Sequence, residues 1–141
     1  MDIIFRENEL TADDVLLFQQ KMNWTVDPKE QWLKSLKNTL YSVTAFNDNE
    51  MVAMGRLLGD GAIYWYVNDM FVLTEYQSKG IGRQIMNMLI EYVKKNSFVG
   101  SEVSLCLMCA KGKEGFYEKL GFRSRPHEYG GPGMELQIVI D

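Results

Sequence analysis

The sequence contains no apolar run that approaches the roughly 18 residues of a membrane-spanning helix. Its opening stretch, MDIIFRENEL, has neither the basic start nor the apolar core of a secretory signal peptide. Basic residues are not in excess, because 15 Lys and Arg stand against 19 Asp and Glu, giving a net charge of −4. A nucleic-acid backbone requires clustered cationic side chains. We therefore expect a cytoplasmic protein with neither a membrane nor a nucleic acid as its partner.

Residues that commonly bind metals are scarce. The chain has one histidine, His127, and two cysteines, Cys106 and Cys109, whereas a structural zinc site takes four ligands. A redox C-x-x-C motif needs a helix N-terminus that lowers the thiol pKa. These cysteines instead lie in a strand-like run, EVSLCLMCA, where residues three apart point to opposite faces. We expect two core thiols, a surface histidine and no metal.

The pattern of apolar and turn residues predicts one α/β domain over residues 1–141. A length of 141 residues suits a single domain, and 46% hydrophobic residues can form its core. The predicted order of elements is β-α-α-β-β-β-α-β-α-β-β, with FRSRP and MELQIVI as the closing strands. This order predicts an α/β (α+β) fold with a mixed, mostly antiparallel central sheet, one β-α-β crossover and helices on both faces.

The stretch YQSKGIGR, Tyr76 to Arg83, joins the predicted strand Ala62–Leu73 to a predicted helix. Unpaired N–H groups and the positive end of the helix dipole make such a junction a site for an anion. Glycines let a phosphate approach the backbone, and Lys79 and Arg83 add positive charge. The Walker A and dinucleotide-binding fingerprints are both absent. On the loop alone, glycines that merely turn a strand into a helix remain an alternative.

Two motifs together identify a resemblance. The string QSKGIG, Gln77 to Gly82, matches the pattern [QR]-x-x-G-x-[GA], and FYEKLGF follows at Phe116 to Phe122. In this order and spacing they resemble the two hallmarks of the GNAT N-acetyltransferase superfamily, and the element order matches nearly the whole chain. The resemblance implies the acyl-CoA N-acyltransferase fold. It also implies transfer of the acetyl group of acetyl-CoA, as co-substrate, to a primary amine of a small molecule.

The resemblance also implies which residues hold the co-substrate. The loop would bind the pyrophosphate through the residues Gln77, Ser78, Lys79, Gly80, Ile81, Gly82 and Arg83. Pantetheine would pair with the strand edge at Met70, Phe71 and Val72, where a bulge would aim a backbone N–H near Val72 at the acetyl carbonyl. Many relatives carry an asparagine where this chain has Ala110, so Lys111, Lys113 or backbone groups would replace that contact.

Tyr117 occupies the position of the family's general-acid tyrosine, and the alternative is a core aromatic of a short helix. The general base is less defined. Asp69 lies in the strand beside the expected acetyl site, Glu75 lies near the end of that strand, and a water relay is equally compatible.

Three aromatic residues, Trp24, Trp65 and Tyr66, are the candidates to line the acceptor pocket, although aromatics on a strand commonly pack in the core. An open groove would instead favour a protein or peptide N-acetyltransferase. A chain that kept the loop but lost the chemistry would be a non-catalytic acyl-CoA-binding module. The resemblance further implies that two copies can pair as a homodimer through the C-terminal strands.

Overall fold

The structure is a computed structural model that describes the whole chain, Met1–Asp141. The short 3-10 turn Thr74–Tyr76 lies between the last antiparallel strand and the longest helix. The other regular elements, in chain order, are β1 (Ile3–Glu7), α1 (Ala12–Lys21), α2 (Lys29–Lys37), β2 (Tyr41–Asn47), β3 (Glu50–Gly59), β4 (Tyr64–Val72), α3 (Ile81–Asn96), β5 (Ser104–Leu107) and α4 (Glu114–Glu118).

The five strands form one sheet in the order β1-β2-β3-β4-β5. β1 to β4 pair antiparallel as a meander, and β4 pairs parallel with β5 after the chain has passed through α3. The predicted mixed, mostly antiparallel sheet with one β-α-β crossover is therefore confirmed. No helix combines the length and apolarity that crossing a membrane would require.

Helices cover both faces of this sheet, as the side chains of two neighbouring residues of β3 show. A Cβ atom added at Gly55 would lie 2.9 Å from Cγ2 of Ile85, so this residue faces α3. The guanidinium carbon of Arg56 lies 4.9 Å from the ring centre of Trp32, so the next residue faces α2. Successive side chains of a strand point to opposite faces, and the prediction of helices on both faces is confirmed.

The helix boundaries follow local signals in the sequence. Thr11 caps α1, because its hydroxyl accepts a hydrogen bond from the N–H of Asp14 at 3.1 Å while the Asp14 carboxylate accepts one from the N–H of Thr11. In α3 the buried side chains recur at helical spacing and form the stripe that packs on the sheet: Ile81, Ile85, Met86, Leu89 and Val93.

The chain divides into two compact units, Met1–Leu107 and Met108–Asp141. The first contains the whole sheet with α1, α2 and α3, and the second contains α4. The single domain predicted over residues 1–141 stays a prediction, because a division into two compact units does not decide whether they form one domain or two.

The prediction of closing strands at FRSRP and MELQIVI is wrong. Neither segment forms a strand, and the large apolar side chains from Met134 to Ile140 are exposed. Alternating apolar residues indicate a strand propensity, but a strand forms only where a neighbour takes up its backbone hydrogen bonds. The prediction of two core thiols also fails for Cys109, which is exposed because β5 ends at Leu107, while Cys106 is half-buried.

Candidate active site

The glycine loop has the geometry of an anion site. Ser78 and Gly80 adopt left-handed backbone conformations, with φ of 61° and 84°, and the chain enters α3 directly afterwards. The first intrahelical hydrogen bond runs from the N–H of Gln84 to the carbonyl of Gly80 at 3.0 Å. The N–H groups of Ile81, Gly82 and Arg83 therefore have no partner in the protein and lie at the positive end of the helix dipole.

Two side chains attach this loop to the sheet. The Gln77 side-chain amide donates a hydrogen bond to the carbonyl of Val72 at 3.0 Å, which ties the loop to the end of β4. The Tyr76 hydroxyl accepts a hydrogen bond from the Asn47 side chain at 2.9 Å, which ties the preceding turn to β2. The side chains of Lys79 and Arg83 are exposed, so their charges face solvent at the rim of the loop.

β4 offers an open edge next to this loop. Its pairing with β5 extends only from Tyr64 opposite Ser104 to Val67 opposite Leu107. Beyond Val67, β4 continues to Val72 with no partner strand on the β5 side, although the Val72 carbonyl already accepts a hydrogen bond from the Gln77 side chain. An extended chain with amide groups, such as pantetheine, could add to this edge as a further strand.

A bulge interrupts β4 on its other side. Arg56 is opposite Asn68 and Met54 is opposite Phe71, so β4 advances three residues where β3 advances two. The extra residue is accommodated at Asp69, whose φ is +55°. The bulge thus lies at Asp69, before Met70, and it shifts the alternation of the strand so that Phe71 shares a face with Asn68.

The carboxylate of Asp69 is engaged in an ion pair. Arg56 Nε lies 2.5 Å from Asp69 Oδ2, and the two side chains are 7% and 23% exposed. The same guanidinium donates through Nη1 to the hydroxyl of Thr39 at 2.8 Å. One oxygen of this carboxylate is therefore committed to the guanidinium rather than open to a substrate amine. The geometry therefore favours a structural role for Asp69 over the predicted role of general base.

The three aromatic candidates separate onto different surfaces. Trp65 is 1% exposed and packs edge-on against Tyr92 of α3, with ring centres 6.3 Å apart. The prediction that Trp65 lines the acceptor pocket is wrong, because the alternation of β4 points it into the core under α3. Tyr66 points to the opposite face and is 45% exposed. Trp24 is partly exposed and contacts Phe71 edge-on, with ring centres 4.6 Å apart.

Tyr117 belongs to the second unit, where it lies half-buried in α4. Its ring makes edge contacts with Phe116 and Phe122, with centroids 5.0 and 5.9 Å away. Burial, and next the nearby thiol of Cys109, raise the pKa of the Tyr117 hydroxyl. The hydroxyl is therefore protonated at neutral pH, as that of an unperturbed tyrosine also is, and this is the state a general acid requires.

Other parts of the surface lack the features of the predicted site. The structure contains no group of three or more His, Cys, Asp and Glu side chains that could hold a metal ion. Two surface grooves, of about 380 and 270 Å³, lie along α3 and include none of the predicted site residues. His127 sits in an exposed turn, where its Nδ1 accepts a hydrogen bond from the N–H of Tyr129 at 3.1 Å.

The sequence analysis missed Arg56, Thr39 and Phe18. Phe18 packs near Phe71, with ring centres 6.4 Å apart. Arg56 could have been found, because it is the one charged residue within the apolar run MVAMGRLL. The alternation of side chains places it on a buried face of the strand, where a charge needs a partner. That partner could not be read from the sequence, because the bulge that presents Asp69 depends on the register of two strands.

Comparison with known proteins assigns the family. The sequence profile described as "Acetyltransferase (GNAT) family" matches residues 6–122. No curated protein sequence matches the chain significantly.

Solved structures agree with that assignment. A probable acetyltransferase of unknown function from methicillin-resistant Staphylococcus aureus is 26% identical, with a TM-score of 0.83 over 97% of this chain and 100% of that one. A GNAT family acetyltransferase from Streptococcus pneumoniae is 27% identical, with a TM-score of 0.77 over 97% of this chain and 98% of that one. The glucosamine-6-phosphate N-acetyltransferase of Arabidopsis thaliana shares the fold at 15% identity, with a TM-score of 0.68 and full coverage of both chains. This chain belongs to the acetyltransferase (GNAT) family.

Proposed function

We propose that this protein transfers the acetyl group of acetyl-CoA to a primary amine of a small molecule in the cytoplasm. The observation that carries the proposal is the junction of β4 and α3. Three unpartnered N–H groups there, on Ile81, Gly82 and Arg83, follow the end of β4 at Met70–Val72, which has no partner strand on the β5 side. Such a junction suits a ligand with a diphosphate at one end and a chain of amides at the other.

The proposed reaction is a direct attack within a ternary complex. The neutral amine attacks the thioester carbonyl carbon, a C–N bond forms, and the carbonyl oxygen becomes an oxyanion that a backbone N–H of β4 stabilises. The C–S bond then breaks, the amine loses its proton through water to solvent, and the thiolate of CoA takes a proton. Tyr117 is the proposed donor of that proton, because it occupies the position of the family's general-acid tyrosine in FYEKLGF and its hydroxyl is protonated at neutral pH.

The aromatic cluster on the α1 side of β4 supports a small acceptor. Trp24, Phe18 and Phe71 form this cluster, and Trp24 presents part of its ring to solvent beside Phe71. An aromatic surface can hold an amine that carries an apolar or aromatic group, by stacking or by cation–π contact. A protein or peptide acceptor is the second candidate, and a non-catalytic acyl-CoA-binding module is the third.

A screen of primary amines with detection of released CoA thiol tests the proposal. We expect one or more small amines to give acetyl-CoA-dependent thiol release and an acetylated product of the matching mass. A parallel thermal-shift series should show stabilisation by acetyl-CoA and none by NAD(P)H, because ligand binding to the native state raises Tm. Stabilisation by acetyl-CoA without turnover of any small amine or peptide would favour the binding module instead.

A further inference from the structure

The bulge in β4 requires a backbone conformation that most side chains avoid. Asp69 has a φ of +55°, in the left-handed region. This region is unfavourable for L-residues, although Asp and Asn tolerate it better than others. The bulge is therefore maintained by contacts around it rather than by the preference of the strand.

The contact that holds Asp69 comes from the neighbouring strand. Arg56 Nε meets Asp69 Oδ2 at 2.5 Å, and the Arg56 side chain is 7% exposed. A guanidinium is planar and its donors have fixed directions, so it determines where the carboxylate lies. If either partner were removed, the other would remain as an uncompensated charge with little access to water. Arg56 thus fixes the side chain of the residue on which the bulge turns.

Arg56 is in turn positioned from the other side by the helical layer. Its Nη1 donates to Thr39 Oγ1 at 2.8 Å, and its guanidinium carbon lies 4.9 Å from the ring centre of Trp32. The Trp32 indole N–H donates to Asp27 at 3.0 Å, and the same carboxylate accepts from the Gln19 side chain at 2.7 Å. A continuous line of directional contacts therefore runs from α1 to the bulge.

We propose that Arg56 is a positioning residue for acetyl transfer. Through Asp69 it fixes the bulge that sets the direction of the backbone N–H groups of Met70–Val72. Through Trp32 it couples that bulge to the segment between α1 and α2, which carries Trp24. The inference rests on the proposed function, since the direction of these N–H groups affects a rate only when a thioester lies along β4.

The kinetic test begins with Arg56→Gln, which removes the charge and the fork of donors. We expect kcat to fall by about tenfold to a hundredfold, because a misplacement of about 1 Å at a reacting group can cost that much. KM for acetyl-CoA should rise by a smaller factor than kcat falls, since Arg56 donates hydrogen bonds only to Asp69 and Thr39 and the glycine loop would still hold the diphosphate. Arg56→Lys is the second variant in case the first folds poorly. It keeps the charge but cannot reach Asp69 and Thr39 together, so we expect a smaller fall in kcat.

A series at Asp69 separates positioning from base catalysis. Asp69→Asn keeps the tolerance for a left-handed backbone and an oxygen for Arg56 but not the counter-charge, so a positioning role predicts a smaller loss of kcat than in Asp69→Gly. It also predicts that the acid limb, the fall of kcat toward low pH, is retained. Asp69→Gly accepts the backbone conformation but has no anchor, so we expect kcat to fall as in Arg56→Gln. The double variant Arg56→Gln/Asp69→Gly should be no slower than the slower single variant, because both changes remove the same contact.

The matched control is Lys29→Met. It removes an exposed ion pair with Asp13, of 2.9 Å, that joins α1 and α2 without touching β4. We expect kcat and KM to be unchanged in this variant.

A readout without turnover completes the test. In amide NMR spectra of the free protein, the Met70–Val72 signals should move in Arg56→Gln and stay in place in Lys29→Met. Three results would overturn the inference. The Met70–Val72 signals could stay in place in Arg56→Gln, kcat could be unchanged in both Arg56 variants, or Asp69→Asn could lose both kcat and the acid limb. A wild-type protein that acetylates no amine would instead overturn the proposed function, and the amide spectra alone would then decide whether Arg56 holds the bulge.

Discussion

The two faces of the central sheet are covered by different kinds of contact. The face under α3 is apolar, and its buried sheet residues include Val43, Ala53, Leu57, Trp65 and Val67. The face under α1 and α2 also buries apolar residues such as Met54, but it carries in addition a set of polar and charged residues: Ser42, Thr44, Arg56, Asn68 and Asp69. Both faces belong to the same strands, and the alternation of side chains along each strand separates them.

The difference shows that one face holds the fold together and the other also orients the backbone of β4. Apolar contacts are non-directional, so they hold α3 against the sheet but do not determine the angle of an individual backbone group. Hydrogen bonds and ion pairs are directional, and here they converge on the bulge in β4 through Arg56 and Asp69. We therefore expect substitutions under α3 to change stability, and substitutions under α1 and α2 to change kinetics as well.

The largest effect is expected from Tyr117→Phe, a change in the second unit that sets the kinetic scale for comparing the two faces. The change removes a hydroxyl and keeps the ring with its contacts to Phe116 and Phe122. We expect kcat to fall by about 10²–10⁴, the usual contribution of a general acid, with little change in Tm. An acyl donor with a better leaving group than CoA should recover part of the loss.

The pH profile checks the same assignment. Because burial raises the pKa of Tyr117, its hydroxyl stays protonated beyond the ordinary tyrosine value of about 10. Activity should therefore not decline through tyrosine ionisation below about pH 10. An unchanged kcat in Tyr117→Phe, with chemistry shown to limit the rate, would mean that the thiolate departs without this proton donor.

Leu89→Ala is expected to have the next largest effect, and it acts on stability. Leu89 is fully buried in α3, and its Cδ1 lies 3.3 Å from the position of a Cβ at Gly55. Truncating a buried leucine should lower the free energy of unfolding by about 2–5 kcal/mol. Denaturant unfolding measures this change, and kcat per folded molecule should match the wild type. A fall in kcat comparable to that of Arg56→Gln would contradict the division between the two faces.

The sequence predicted the features that depend on neighbours in the chain. The cap at Thr11, the turn at the glycines and the apolar stripe of α3 all arise from residues within a few positions of one another. The glycine loop was also predicted as an anion site. Its left-handed residues, Ser78 and Gly80, explain how the backbone makes the turn that exposes the N–H groups.

Features that depend on strand register could not be predicted. The bulge at Asp69 exists only because Asn68 and Phe71 are paired with specific residues of β3. The burial of Trp65 depends on which helix covers its side of β4, whereas its alternation with Tyr66 was readable from the sequence. The prediction of closing strands failed for the same reason, because an alternating apolar pattern does not specify which neighbouring strand would pair with it.

Gly80→Ala should have an intermediate effect, on the glycine loop between β4 and α3. A Cβ at this position would meet no atom within 4 Å, so the cost comes from the φ of +84° alone. We expect a loss of about 1–2 kcal/mol in stability or in acetyl-CoA binding, measured by calorimetry and unfolding. Gly80→Asn, which tolerates the left-handed region better, should lose less. Equal losses in the two variants would indicate that crowding of the ligand, not backbone strain, is responsible.

The smallest effect is expected from Lys21→Met. This variant tests whether an ion pair must be buried to contribute strongly to the free energy of unfolding. Lys21 Nζ lies 2.9 Å from Glu50 Oε2, but the two side chains are 32% and 41% exposed, in contrast to the enclosed pair of Arg56 and Asp69. Solvent screens such a pair, so we expect a loss of only about 0.2–1 kcal/mol at pH 7.

The pH dependence of that loss has a definite sign. The hydrogen bond from Lys21 lowers the pKa of Glu50 in the folded protein. The stabilisation is therefore complete above the unfolded-state pKa of glutamate, about 4.3, and is lost as the pH falls through the lowered folded value. Unfolding curves of wild type and Lys21→Met should differ slightly at pH 7 and coincide at strongly acidic pH. A loss at pH 7 as large as that of Leu89→Ala would mean that exposure does not weaken this pair, and the contrast drawn between Lys21–Glu50 and Arg56–Asp69 would fail.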